Sequence, residues 1–430
     1  MKPVTAIIIG AGGRGFAYGN LANTDEMKER LKIVGVAEPR AFHRKKMVKE
    51  HDIQPDMVFR TWQQLAKQPR LADAVFICTQ DAMHEKGMLA LAKLGYHILL
   101  EKPMAPSAKA CVRIYKAAKE AQKNGSLFAV CHVMRYTNYS QIVHKMIVSG
   151  LIGDVVSIDH HEPVGFWHQA HSYIRGNWRN EKESSFMLLA KSCHDIDWLR
   201  YMVGKPCLRV SSFGSLTYFK KENQPEGAAD RCMDCKFVDQ CPYSAKRFYF
   251  SALEDPSRHG WPLDVVDPTF KAENLEKALR EGPYGRCVFA CDNDVVDHQV
   301  VNLEYEGGVT ATFMMDAFNP GSGRKTRIGG PKGYLETDDS SVIRHYDFLT
   351  KKRDEIDTEA SDASMAGGHG GGDGGLLRAF VQAVTDNDPS KIITGPEETL
   401  ESHLTTFAAE KARLTGKVVD VGKYMEKFLK

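Results

Sequence analysis

Val4-Thr5-Ala6-Ile7-Ile8-Ile9-Gly10-Ala11-Gly12-Gly13-Arg14-Gly15 is a short β-branched apolar run that ends in a glycine turn. Such a run suits a central parallel strand, buried on both faces. Gly10, Gly12 and Gly15 fit G-x-G-x-x-G, which permits a tight turn, close approach of a pyrophosphate and packing of the next helix on the strand. Gly13 and Arg14 complete the turn, and the following helix N-terminus offers unpaired N–H groups to phosphate. A bare glycine motif also describes an ordinary surface turn, so the neighbouring elements decide. Leu31 to Ala37 reads as a second strand that ends at Glu38, where a carboxylate accepts hydrogen bonds from adenosine ribose hydroxyls. A carboxylate there disfavours the 2′-phosphate of NADP, so NAD is expected over NADP, although Arg14 and Arg40 are cations that a phosphate would use. Ala74 to Cys78 is predicted as a third strand ending at Thr79, and Tyr96 to Leu100 as a fourth ending in Glu101-Lys102-Pro103. The alternation of strand and helix predicts an α/β chain that begins as a doubly wound Rossmann sheet, with its ligand at the carboxyl ends of the strands.

At 430 residues the chain is too long for one ordinary core. Two domains are expected: residues 1–128 binding the dinucleotide, and 129–430 binding substrate, the latter including a Cys-rich insert over 218–291 and C-terminal helices over 376–430. A formal charge of +2 without a basic block speaks against nucleic acid and anionic membranes. The sequence has neither a long apolar span nor the pattern of a signal peptide, so a reducing, cytoplasmic setting is expected.

The turn, the stretch from Asp73 through Thr79 to His84, Glu101-Lys102-Pro103 after Gly95-Tyr96-His97-Ile98-Leu99-Leu100, and a segment around His194 follow one another in a telling order. In that order the chain resembles the glucose–fructose oxidoreductase, inositol dehydrogenase and rhizopine-catabolism family (Gfo/Idh/MocA) over nearly its whole length. The resemblance implies a second α+β domain with an open, mostly antiparallel sheet that often forms an oligomer interface, hence a homo-oligomer (dimer or tetramer). It implies a sugar, cyclitol or related carbohydrate as substrate, and cofactor contacts at Thr79, His84, Glu101 and Lys102. The leading expectation is an NAD-dependent oxidoreductase acting on a secondary hydroxyl or keto group. An NAD-dependent glycosidase that oxidises transiently and retains its cofactor is the alternative, and a non-catalytic NAD(H)-binding sensor a third reading. Oxidising a carbinol requires removal of the hydroxyl proton, and a partly buried lysine beside a cationic nicotinamide has its charged form disfavoured. Lys102 is placed for that role or for orienting the hydroxyl.

Ser185 to Gly204 is predicted as one helix with a glycine C-cap, on which Lys191, His194, Asp195 and Trp198 share a stripe. The family's pattern has an aspartate four residues before the histidine and another three after it; here Asp197 is kept and Ala190 stands at the earlier position. Lys191 and Asp195 are expected to compensate, with Lys102, Lys191 and His194 handling the proton and Asp195 contacting substrate. Arg135-Tyr136 follows the strand Leu127 to Val133 where the family has a site-facing pair. His168 and Trp178 belong to an aromatic and cationic loop suited to stacking on sugar rings, or equally to an oligomer contact.

Cys232-x2-Cys235-x5-Cys241-Pro242, followed forty-six residues later by Cys287, spaces four thiolates as a metal knuckle would. A structural Zn2+ on Cys232, Cys235, Cys241 and Cys287 is expected. The spacings match neither ferredoxin pattern, which places an iron–sulfur cluster second. The insert shows few periodic apolar signals and is expected to be stapled by the metal over the substrate pocket, with Asp292, Asn293, Asp294, Asp297 and His298 delivering polar groups there. The resemblance also implies a loop with His369 and Asp373 near the site, ahead of a helix from Leu376 to Thr385.

Overall fold

A computed structural model describes residues 2–321, 323–358 and 370–429. The first four predicted strands appear as β1 (Val4–Ile9), β2 (Leu31–Ala37), β4 (Ala74–Ile77) and β5 (His97–Leu100), joined by the short β3 (Val58–Phe59) and β6 (Phe128–Val130). They form one parallel sheet in the order β3-β2-β1-β4-β5-β6, the doubly wound arrangement whose chain reversal beside β1 opens a crevice at the carboxyl ends. The strand expected to reach Val133 stops at Val130, and Val133–Tyr136 coils into a 3-10 turn.

The second sheet is built from β7 (Ser157–Pro163), β8 (Cys207–Ser215), β9 (His298–Tyr305), β10 (Thr310–Asp316), β11 (Lys325–Gly329), β12 (Gly333–Thr337), β13 (Val342–Asp347), β14 (Arg353–Asp357) and β15 (Val419–Asp420). Its order is β14-β13-β12-β11-β7-β10-β9-β8-β15, antiparallel throughout except for β7 beside β10. One face packs on the helices Cys193–Val203 and Pro396–Thr415 through Val210, Val301, Leu303, Phe313 and Leu404. The mixed α/β architecture expected from the sequence is therefore present.

Two elements depart from the sequence reading. The helix Gly372–Asp386 buries Leu376, Leu377, Phe380 and Val381 in the core that also holds Ile8, Phe76 and Leu99 of the parallel sheet. It thus closes one face of the first sheet although it lies far along the chain. The insert, expected to lack periodic apolar signals, has its own small core: the helices Ala245–Glu254 and Ala272–Glu281 bury Tyr249, Ala252, Leu275 and Leu279 against Leu263 and Tyr284. The pattern is hidden because two short amphipathic helices carry it, each only 10 residues long.

The two sheets are tied by a buried ion pair. Arg135, just beyond β6, donates from Nε to Asp197 Oδ2 at 2.7 Å and from a second nitrogen to Oδ1 at 2.8 Å. Asp197 lies on the helix Cys193–Val203 and also accepts from the Ser402 hydroxyl at 2.9 Å, while Arg135 reaches the Ile393 carbonyl at 2.7 Å. Burial pushes the Asp197 carboxyl up, but the Arg135 guanidinium outweighs it and holds the group below its ordinary value. A carboxyl lowered in the folded state stabilises that state above the unfolded value of about 3.9. The contribution is lost as pH falls through the folded value. Arg135→Ala strands a buried carboxylate and is expected to cost about 3–5 kcal/mol in urea unfolding at neutral pH. Asp197→Asn should flatten the acid side of the stability profile relative to the parent chain.

Candidate active site

Gly10 has a φ of 90°, and a side chain there would meet the Cys78 carbonyl oxygen at 2.7 Å. A Cβ at Gly15 would lie 2.2 Å from the Gly10 carbonyl oxygen, so the helix Gly13–Ala22 leaves β1 at a spacing that glycine permits. That helix has no capping side chain at Gly12 and no acid in its first turn, and its leading N–H groups are left to an anion. Around Gly13 a Cβ would meet nothing within 4 Å. This cradle fits a dinucleotide pyrophosphate.

Glu38 stands buried at the end of β2. It accepts from the Ala11 N–H at 2.8 Å, the Arg40 N–H at 2.8 Å and Arg40 Nε at 2.7 Å. Burial pushes the carboxyl up, and the hydrogen bonds from Arg40 and Ala11 more than offset it, so Glu38 lies below its ordinary value. Arg14 is elsewhere: it donates to Glu101 at 2.6 Å, Asp373 at 2.5 Å and the Tyr18 hydroxyl at 2.8 Å. Arg14 and Glu101, both expected to touch cofactor, are therefore joined in a polar hub beside the turn. Of the two arginines, Arg40 is the one that pairs with the expected ribose carboxylate.

Three contacts pin the loop after β5, where the Lys102–Pro103 peptide is cis. The buried His84 ring spans the Thr79 carbonyl at 2.9 Å and the Pro103 carbonyl at 2.8 Å. The Met104 N–H donates to His403 Nε2 at 2.9 Å. Lys102 Nζ donates to the Ala190 carbonyl at 2.8 Å, across the junction with the second sheet's helices.

Ala190 marks a break that the sequence did not announce. The single helix expected over Ser185–Gly204 is two, Met187–Ala190 and Cys193–Val203, the latter capped by Gly204 at φ 69° as expected. At the break Lys191 turns its ammonium onto Glu162 at 2.9 Å. Glu162 also meets Arg324 at 3.0 Å, and Arg324 Nε meets Asp195 at 2.5 Å. His160 Nε2 lies 3.1 Å from the same Asp195 oxygen and its Nδ1 2.8 Å from the Thr326 hydroxyl. Burial pushes the Asp195 carboxyl up, and Arg324 with His160 drives it well below the usual carboxylate range. The result is an alternating chain of two cations and two anions behind His194, which sits in the first turn of the helix Cys193–Val203. The His194 ring lies 5.7 Å from that of His132. Burial lowers His132 to about 3 and His403, whose ring lies 5.1 Å from that of His132, to about 4, so both rings stay uncharged at neutral pH.

Lys102 thus meets the chain at Ala190, just ahead of Lys191 and of the helix that carries His194, and the predicted substrate contacts divide. Asp195 belongs to the charge chain just described. His168 joins a ring cluster with Trp167 at 5.4 Å and Trp261 at 5.0 Å, and Trp178 packs 6.3 Å from Tyr173. Arg135 and Tyr136 turn into the core instead: Arg135 holds Asp197, and the Tyr136 hydroxyl contacts Thr394 at 3.1 Å and accepts from the Ile393 N–H at 3.0 Å. The acids after Cys291 likewise serve structure. Asp292 pairs with Arg179 and Arg286, and Asp297 accepts from the Thr217 and Tyr218 N–H groups at 2.8 Å. His369 lies outside the described residues, whereas Asp373 holds Arg14. Glu162, His160 and Arg324 went unnoticed in the sequence. The structure buries Ile158, His160 and Glu162 alternately along β7, a period of two that polar residues hide from the sequence.

The zinc expectation is corrected. Among the described residues no three His, Cys, Asp or Glu side chains converge to hold a metal ion. Cys232, Cys235, Cys241 and Cys287 ring one cavity of about 260 Å³ rather than meeting at a point. Among the described residues no helix is long and apolar enough to cross a membrane.

Known proteins resemble the chain along its length. The description "Oxidoreductase family, NAD-binding Rossmann fold" (Gfo/Idh/MocA) matches residues 4–128, and "Oxidoreductase family, C-terminal alpha/beta domain" matches residues 144–421. The chain is 24% identical over 326 residues to YteT of Bacillus subtilis (strain 168), named an oxidoreductase, covering 71% of each. It is 30% identical over 145 residues to 2,7-anhydro-N-acetylneuraminate hydratase of Escherichia coli (strain K12), covering 34% of this chain and 37% of that protein. An oxidoreductase from Agrobacterium radiobacter, solved in complex with NAD+, L-tartaric acid and magnesium, shares the fold with a TM-score of 0.69 at 13% identity, covering 98% of this chain and 99% of that one.

Gly15→Ala is expected to weaken NADH binding by at least about tenfold, since the helix must retreat from the Gly10 carbonyl. Gly13→Ala, with open space for its methyl, should leave thermal melting unchanged. Fluorescence titration and melting of the two variants side by side make the check.

Proposed function

The chain belongs to the Gfo/Idh/MocA oxidoreductase family, and from that premise we propose that this NAD(P)-dependent enzyme uses NAD to oxidise a secondary hydroxyl of a sugar or cyclitol, or to reduce the matching ketone. The observation that carries the reading is the contact between Lys102 at the carboxyl end of β5 and Ala190 at the helix break. That contact supports a reading in which the parallel sheet's lysine works together with Lys191 and His194. With its pyrophosphate held in the Gly10–Gly15 cradle, the dinucleotide would supply its nicotinamide as hydride acceptor or donor. Glu38 holds the adenosine ribose and repels a 2′-phosphate. Lys102 Nζ takes the substrate hydroxyl's proton in oxidation and returns it in reduction, while the His194 ring orients that hydroxyl by a hydrogen bond. Lys191, with one N–H on Glu162, keeps donors for a second hydroxyl. The Glu162–Arg324–Asp195 chain prevents Lys191 from swinging away. His168, Trp167 and Trp261 offer aromatic faces for a sugar ring.

The outward face of the second sheet aligns Phe213, Val300 and Met314 in register, and Phe213 is 61% exposed. This apolar row supports self-association through that face. The name of the Escherichia coli relative, a hydratase, supports a second reading in which the dinucleotide stays bound and no net oxidation occurs. Dinucleotide released only on denaturation, with no reduction of added NAD by free sugars and cyclitols, would favour it.

Lys102→Met is expected to lower kcat by about 10²- to 10⁴-fold while NADH still binds; unchanged turnover would remove Lys102 from the mechanism. Glu38→Ala should shift the ratio of kcat/KM for NAD over NADP by about tenfold toward NADP.

A further inference from the structure

The cavity of about 260 Å³ lies in the insert, and all four of Cys232, Cys235, Cys241 and Cys287 border it. They come from two segments held side by side: Arg231 and Arg286 form a β-bridge, and the Cys287 N–H donates to the Asp230 carbonyl at 2.8 Å. All four are free thiols. A zinc ion, with bonds to sulfur of about 2.3 Å, would draw them to a point and leave no such space. The cavity's walls are largely apolar, with Tyr218, Phe237 and Phe289 among them.

A second observation concerns charge. Arg175 borders the same cavity and is 3% exposed. Its guanidinium donates to the Arg286 carbonyl at 2.7 Å, the Tyr243 carbonyl at 2.7 Å and Cys232 Sγ at 3.5 Å. Among the described residues no carboxylate stands within ion-pair distance of it. A buried cation without an anion is costly, so the cavity wants net negative charge. The sulfurs are also supplied with N–H donors: the Ala245 N–H reaches Cys232 Sγ at 3.5 Å, and Gln224 Nε2 reaches Cys287 Sγ at 3.8 Å. Four cysteine sulfurs around a roomy apolar void, N–H groups aimed at sulfur and a buried cation together describe the surroundings of a polynuclear iron–sulfur centre. The geometry thus reverses the order of preference drawn from spacing alone. We propose that Cys232, Cys235, Cys241 and Cys287 ligate a [4Fe–4S] cluster in this cavity, with Arg175 as its counter-cation. Cys291 is not a ligand; its thiol donates to the Cys287 carbonyl at 3.2 Å and it does not border the void.

The full-length chain, purified under argon and then reconstituted with iron salts and sodium sulfide, tests the proposal without reference to turnover. About four iron and four acid-labile sulfide per chain are expected, with broad visible charge-transfer absorption that bleaches on reduction. Cys235→Ser and Cys287→Ser should each lose most of that absorption, and Cys291→Ser should keep it. NADH binding by fluorescence reports whether each variant is folded. Iron and sulfide at background after reconstitution, a single zinc in their place, or equal iron in a variant with all four cysteines changed to serine would overturn the assignment.

Discussion

Where the last parallel strand gives way to the second sheet, the Arg135 guanidinium and the Asp197 carboxylate meet face to face in the dry interior. Two parallel N–H···O bonds fix both distance and angle, which a single bond or an apolar contact would not. Asp197 is one turn beyond His194 on the same helix, so this pair sets how far the histidine stands from the dinucleotide sheet. The Ser402 hydroxyl and the Ile393 carbonyl use remaining bonding capacity of the two groups, and the pair draws the helix Pro396–Thr415 into the same joint. Buried charges are poor sources of net stability but strict about geometry.

A second electrostatic device works on the other side of His194. Lys191, Glu162, Arg324 and Asp195 alternate in sign over four places, the helix break, β7, the residue before β11 and the helix Cys193–Val203. Each anion touches a cation, so the group can be taken out of water without leaving an uncompensated charge. The lysine end of the chain faces the Lys102 loop. Arginine, which stays charged under all relevant conditions, occupies the middle. The helix break also frees the Ala190 carbonyl for Lys102 Nζ, because a continuous helix would keep that carbonyl for an internal bond.

The Rossmann half was legible because its signals are local: apolar strands of the right length, glycines at fixed offsets and a carboxylate at the end of the second strand. Lys102, Lys191 and His194 were singled out as candidates through resemblance and helical spacing. Arg324 was not, since it joins Asp195 only through pairing of strands distant in sequence. His160 and Glu162 were masked because they occupy inward strand positions usually filled by valine or leucine. Arg135 shows the opposite failure: its type and place after a strand suggest a ligand contact, but the 3-10 turn at Val133–Tyr136 rotates it inward. For the cysteines, spacing told which four belong together and not how much room lies between them.

The helix Gly372–Asp386 has a bearing on biogenesis. The parallel sheet is complete by Val130, yet the side of it formed by Phe76 and Leu99 is covered by Phe380 and its neighbours. At ordinary elongation speeds of about 5–20 residues per second, the ribosome needs roughly tens of seconds to make the intervening stretch. During that interval the nascent sheet has one face only partly covered, by Tyr18, Ala22 and Met47. Chaperone capture during translation is the physical remedy for such a delay. A fragment cut at the apparent domain boundary would remain permanently in that half-finished condition.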